Sequence, residues 1–172
     1  MAMIKCRECG QDVSTEAKLC PHCGVQSPAI KEWKGTGLDW KAGPLFYGYP
    51  LIHVALGRDA KGKQRVAKGI IAIGQFAIGL ITIAQFGVGV IFGFGQFIIG
   101  GIAIAQIAVG ALFGLGQLAT GYIAIGQLVL GFYGFAQMGF AKYIWTPDHK
   151  DIQAIEFFRQ LLDKVKNIIH IN

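Results

Sequence analysis

The chain has 172 residues, room for one or two domains, and a net charge of +6 from 16 Lys and Arg against 10 Asp and Glu. Hydrophobic residues make up 53%, and the charge sits entirely in the flanks: Gly69 to Ala141 contains no Asp, Glu, Lys or Arg. A stretch without charge suits water poorly, and it offers no acid or base from which to build an enzyme's active site.

Residues 4–25 read IKCRECGQDVSTEAKLCPHCGV. Cys6 and Cys9 form one C-x-x-C-G turn, and Cys20 and Cys23 form another. Two such turns bring four thiolates together at about 2.3 Å around a small tetrahedral ion, so the spacing predicts zinc rather than a disulfide framework. The glycine after each pair permits the close backbone turn. His22 lies inside the second pair and is read as a bystander, because four thiolates already complete the shell. The N-terminus is a polar, Cys-rich module rather than a basic region followed by an apolar run, so it is expected to face the reducing cytosol.

This C-x-x-C-G … C-P-x-C-G segment resembles the short zinc ribbons that begin many bacterial membrane proteins. The resemblance implies a docking or stabilising role, with a protein as the ribbon's partner. Nucleic acid is not the expected partner, because no aromatic-basic stripe lies nearby.

Residues 27–43, with Trp33 and Trp40, read as a linker between the ribbon (1–26) and a third segment (44–145). The third segment opens on aromatics and then a basic cluster: Arg58, Lys61, Lys63, Arg65 and Lys68 against Asp59 alone. Cations abutting an apolar tract predict an anchor to anionic lipid head groups, each worth about 1 kcal/mol near such a surface. A solvated loop is the simpler alternative. His53 is read as structural, with no His or Cys near it in sequence.

From Ala72 the chain divides into fourteen pentads of the form small–apolar–small–x–apolar, beginning AIGQF, AIGLI, TIAQF, GVGVI. One extra residue, Phe92 or Phe113, follows each of the first two blocks of four. Position three is Gly or Ala throughout, and position one is Gly, Ala or Thr except at Ile98 and Val129. Membrane helices fit badly, since a five-residue step advances about 140° and spreads the small residues around the axis. Short strands joined by tight corners fit better, with positions one and three on one side and position two on the other. The expected fold is mainly β: a quadrilateral β-helix (solenoid) of four pentads, 20–21 residues per coil. Small residues fill the axis and bulky ones face lipid.

Pentapeptide-repeat right-handed β-helices share this geometry, but their outward positions are largely polar. The run RVAKGIIAIGQFAIGLITIAQFGVG resembles uncharacterised bacterial proteins with A-I-G repeats, predicted to be transmembrane β-helices and sometimes fused to zinc ribbons. That resemblance implies a membrane location, with the bacterial inner membrane expected and the ribbon in the cytoplasm, and it brings no catalytic residue. Trp33, Trp40, Tyr47 and Tyr49 are assigned to one aromatic belt, and Tyr143 and Trp145 to the other. Length is the difficulty. Coils of 20–21 residues reach only ~22–26 Å at about 4.8 Å each, short of the ~30 Å hydrocarbon layer.

Every second pentad carries Gln at position four. With 20–21 residues per coil, Gln64, Gln85, Gln106 and Gln127 stack on one corner and Gln75, Gln96, Gln117 and Gln137 on the opposite one. Such ladders hydrogen-bond along the axis. Alternatively, they face a second protomer as an interface or line a polar path in a homo-oligomer. Residues 146–172 predict an amphipathic helix with Thr146 as N-cap and a stripe of Ile152, Ile155, Phe158, Leu162, Val165 and Ile169, capping the solenoid or lying at the membrane interface. His149 and His170 are expected to be solvated.

Three functions follow from this reading. The first is a non-enzymatic membrane scaffold presenting a zinc ribbon. The second is a channel or transporter with Gln-lined paths between protomers, and the third is a soluble, filament-forming β-solenoid.

Overall fold

The computed structural model describes residues 3–29 and 35–169, so Trp33 and His170 lie outside the described residues. It is mainly β, with strands β1 (Met3–Lys5), β2 (Asp12–Ser14), β3 (Thr36–Phe46), β4 (Tyr49–Arg58) and β5 (Val66–Trp145), then helix α1 (Ile152–Ile169). The chain forms two compact units. One is Met1–Gly37 with Gly57–Arg65, and the other is Leu38–Leu56 with Val66–Asn172. Strand β3 thus begins at Thr36, inside the segment expected to be a linker.

In the first unit, β1 and β2 pair antiparallel with Ile4 opposite Val13. The excursion Gly57–Arg65 closes on itself through the antiparallel bridge between Arg58 and Gln64. Asp59 organises it: one carboxylate oxygen accepts the backbone N–H groups of Lys61 and Lys63, each at 2.9 Å. This side-chain mimic of a backbone turn is the ordinary use of Asp in tight loops.

In the second unit the strand order is β3-β4-β5. Strands β4 and β5 run parallel, with Ile52 opposite Ile71 and Ala55 opposite Gly74. β5 is an unbroken extended run of 80 residues. Laid straight at about 3.3 Å per residue it would reach ~260 Å. Instead it folds back on itself at a short, regular interval. A Cβ built on Gly79 would meet the Gly69 carbonyl, one on Gly126 the Gly116 carbonyl, and one on Gly139 the Val129 carbonyl, each pair ten residues apart. Where the interval includes Phe92 or Phe113 it is eleven: Gly100 meets Gly89, and Gly116 meets Ala105. Ring stacks repeat the interval, with centroids 5.5 Å apart for Phe76 and Phe86 and 4.9 Å for Tyr122 and Phe132. These distances match the ~4.8 Å between neighbouring strands. Backbone approaches therefore recur every two pentads, half the 20–21 residues expected, and Phe92 and Phe113 each lengthen one interval by a residue.

The division into small core and bulky surface holds. Position one is buried in twelve of the fourteen pentads, and Ala67, Ala72, Ala103, Ala108, Ala119 and Ala124 have no exposed surface. Position two is never buried, and Ile78, Ile83, Phe94 and Leu130 are all exposed there. Position-one residues five apart face each other across the interior, which explains the exceptions. Cγ2 of Ile98 fills the space where Gly93 lacks a side chain, and Cγ2 of Val129 lies 3.0 Å from the Cβ position of Gly134. Thr82 likewise faces Gly87 across the interior and satisfies its hydroxyl by donating to the Val88 carbonyl at 2.9 Å. Each large residue is matched by a glycine, so the layer volume stays nearly constant, as close packing requires.

Helix α1 begins at Ile152, six residues after the expected cap. Thr146 instead closes a turn with His149, whose N–H its hydroxyl accepts at 3.0 Å. The residue before the helix is Asp151, whose carbonyl accepts the Ile155 N–H at 3.0 Å. Its carboxylate turns back to accept the Ile144 N–H at 2.8 Å, tying the helix start to the last circuit. His149 is exposed, as expected, and also meets this carboxylate at 3.1 Å. The inward face is Ala154, Phe157 and Phe158: the Phe157 ring stacks on Tyr133 at 4.1 Å and Phe158 lies 5.7 Å from Phe135. Ile152, Leu162 and Val165, expected on the packed stripe, are exposed instead. The helix packs through its aromatic rings onto Tyr133 and Phe135 rather than along the aliphatic stripe.

Two outcomes are expected. Gly93→Ala overfills its layer and costs about 1–3 kcal/mol in denaturant unfolding, and Ile98→Ala in the same chain restores most of the loss. The Ile144 N–H, and after it His149, hold the Asp151 carboxyl below its ordinary value. Its stabilisation is therefore present above the unfolded-state pKa of about 4 and lost as pH falls through the lower folded value. Asp151→Asn should lower the melting temperature at pH 7 and flatten its dependence on pH below 4.

Candidate metal centre

Each C-x-x-C-G turn is built the same way. The Gly10 N–H donates to the Cys6 carbonyl at 2.9 Å, and the Gly24 N–H to the Cys20 carbonyl at 2.9 Å. Both glycines take positive φ, 70° and 74°. A Cβ would find nothing within 4 Å at either position, so backbone conformation alone demands glycine there. The first cysteine of each turn, Cys6 and Cys20, is buried with Val13 and Val25, and the second, Cys9 and Cys23, is exposed.

The turns face each other. Cys6 Sγ lies 3.8 Å from Cys23 Sγ and Cys9 Sγ 3.6 Å from Cys20 Sγ, with all four sulfurs within 4.8 Å of one another. Four thiolates about 2.3 Å from one tetrahedral ion stand about 3.8 Å apart, so the donor set has the size of a zinc site. Its electrostatics agree. The Cys9 backbone N–H, assisted by that of Glu8, draws the Cys6 thiol down to about 6. At Cys23 the Val25 N–H also lowers the pKa, but burial and the surrounding thiols outweigh it and push the value up to about 12. Cys9 is raised in the same way despite the Gln11 N–H. Cys6 ionises readily while Cys9 and Cys23 resist, which is the response of a cluster that needs a cation to hold negative sulfurs together.

The other residues singled out in the sequence are not gathered into one site. Arg58, Lys61 and Lys63 are exposed and Arg65 is half-buried, all in the first unit; Lys68 is exposed at the start of β5 in the second. Gln64 lies in the basic excursion and is not part of a glutamine stack. Gln75, Gln85, Gln96, Gln106, Gln117, Gln127 and Gln137 recur at intervals of ten or eleven, and Gln106, Gln117, Gln127 and Gln137 come together, as do Gln85 and Gln96, rather than alternating between two opposite corners. A groove of about 360 Å³ is lined by Gln106, Gln117, Gln127 and Gln137 together with Ile107, Leu118, Leu128 and Met138.

His53 is structural, as expected, but its partners were not visible in the sequence. It is buried, its Nδ1 accepts the Lys68 N–H at 2.8 Å, and its Nε2 donates to Asp39 Oδ1 at 3.0 Å. It links β3, β4 and β5, whose contacting residues are fourteen and fifteen positions away in the chain.

Residues 2–26 match the zinc-ribbon domain family. Comparison of the chain with curated proteins and with solved structures returns no match. Family match and sulfur geometry together assign zinc to Cys6, Cys9, Cys20 and Cys23. Elemental analysis should find one zinc per chain, lost in Cys20→Ser. The circular-dichroism strand signal of the second unit should survive both that substitution and chelation.

Proposed function

We propose that the second unit is a β-helix of two pentads per coil that spans a lipid bilayer, and that the protein is a non-enzymatic membrane scaffold presenting its zinc ribbon to the cytoplasm. The length of the charge-free tract carries this reading. Lys68 and Lys142 bound it, and the chain between them makes seven circuits. At about 4.8 Å each they rise ~34 Å, against a hydrocarbon layer of ~30 Å. Halving the coil doubles the rise, and the shortfall of the four-pentad coil disappears.

The surface supports the same reading. Outward positions two and five of the tract carry Ile, Phe, Leu and Val, exposed in most circuits. Backbone groups in a β-helix bond to the coils above and below, which lipid demands everywhere except at the two ends. At one end α1 covers the last circuit through Phe157 and Phe158. Among the described residues no helix is long and apolar enough to cross a membrane, so strands are left to do so. Lys142 lies 5.0 Å above the Phe132 ring and 5.4 Å above Tyr143, a cation resting on aromatics as at a membrane interface. Exposed Trp40, Tyr47 and Tyr49 precede the tract, and Tyr143 and Trp145 end it.

The basic excess lies before Gly69, eleven Lys and Arg against six Asp and Glu, and this favours the cytoplasm for that side. Arg58, Lys61, Lys63, Arg65 and Lys68 would then meet anionic head groups. Spanning also assigns α1 to the opposite side of the bilayer. The interior, filled by alanine and glycine, leaves no axial path for a solute.

In sealed vesicles formed with the cytoplasmic side outward, protease should remove the ribbon and leave α1 intact, and carbonate should not extract the protein. Release by carbonate, or cleavage within α1 before the vesicles are opened, would refute the reading.

A further inference from the structure

Resting on the bilayer reading, we infer that the single glutamine edge is a self-association seam, closed by the same edge of a second copy of this chain. From Gln75 to Gln137 there are six circuits, ~29 Å, so the polar edge runs the full depth of the hydrocarbon layer. Six of its seven glutamines are exposed, and Gln75 is half-buried. The equivalent position on the opposite edge carries Leu80, Val90, Gly101, Ala111, Tyr122 and Phe132, which suits lipid, and becomes charged only at Lys142, where the tract ends. Polarity is confined to one side of an otherwise apolar rod.

Lipid cannot satisfy that edge. Each primary amide has two donors and two acceptor lone pairs. A full ladder along the column would use only half of these, and the rest would face outward, where an unmet group costs several kcal/mol. Among the described residues none of the seven side chains has a hydrogen-bond partner within the chain.

A column of amides is its own complement, since every group it presents is both donor and acceptor. A second copy in the same orientation, related by a two-fold axis along the bilayer normal, brings each glutamine to the same depth as its counterpart. The groove lined by the glutamines and by Ile107, Leu118, Leu128 and Met138 gives the partner's side chains a place to seat. A purely apolar partner leaves the amides unmet, and a charged one adds its own cost of burial in lipid.

The test uses the full chain, zinc-loaded, in phosphatidylethanolamine–phosphatidylglycerol vesicles, with benzoyl-phenylalanine in place of Gln106 or, separately, of Ala111. Light should give a covalent homodimer from Gln106 and none from Ala111. In detergent the unsubstituted chain should have the mass of a dimer. In the triple variant Gln96→Leu, Gln106→Leu, Gln117→Leu the apparent dissociation constant should rise by about tenfold or more, with carbonate resistance unchanged. Equal cross-linking from Ala111, a cross-link only to some other protein, or a monomeric unsubstituted chain would each overturn the seam. A parent chain that carbonate extracts would instead overturn the bilayer reading, and the cross-linking comparison would still decide the seam.

Discussion

The second unit depends on how closely facing segments of β5 approach. Where residues five apart in sequence face each other across the interior, a methyl on one side nearly fills the space left by the other, as Ile98 does opposite Gly93. An interior that narrow admits Ala and Gly and excludes almost everything else. Burying small side chains returns little hydrophobic free energy, since the effect scales with apolar area. Cohesion must come instead from the backbone ladder between circuits, from stacked rings such as Phe76 on Phe86, and from whatever solvent meets the outer side chains. This constraint puts the large residues outside and makes the protein's surroundings part of its stability.

The zinc ribbon follows the opposite logic. A module of some twenty-five residues cannot bury enough surface to fold by itself, and a structural metal supplies the missing stability. Its core is two valines and two cysteines, so the metal and the hydrophobic cluster share residues. The two units therefore take their stability from different sources, thiolate coordination in one and the repeating ladder in the other.

The small core, the outward Ile and Phe and the four cysteines were legible in the sequence because each follows from local chemistry: pentad spacing, side-chain size, knuckle spacing. The ten-residue interval between backbone approaches was not. A five-residue pattern fits a two-sided and a four-sided coil equally well, and the extra Phe92 and Phe113, twenty-one residues apart, made the longer period look natural. Glutamine in alternate pentads was itself the mark of a ten-residue circuit. Gln64 strengthened the misreading, because it stands twenty-one residues before Gln85 yet belongs to the basic excursion. At the C-terminus Thr146-Pro147-Asp148 has the composition of a helix start, but Asp151 takes the role because its carboxylate also reaches the Ile144 N–H, a contact across the fold that no local pattern encodes. His53 owes its place to Asp39 and Lys68 on neighbouring strands for the same reason.

The ten-residue circuit of the proposed β-helix also sets how such a protein changes over evolutionary time. Each circuit meets only those above and below it, so one can be gained or lost by duplication without redesigning the rest, as in other solenoids. A membrane helix adjusts its span by about 1.5 Å per residue and can match any bilayer. A stack of circuits moves only in whole steps of about 4.8 Å. Its thickness is quantised, and a lineage moving to a thinner or thicker membrane would have to drop or add an entire circuit, leaving a record that could be counted in the gene.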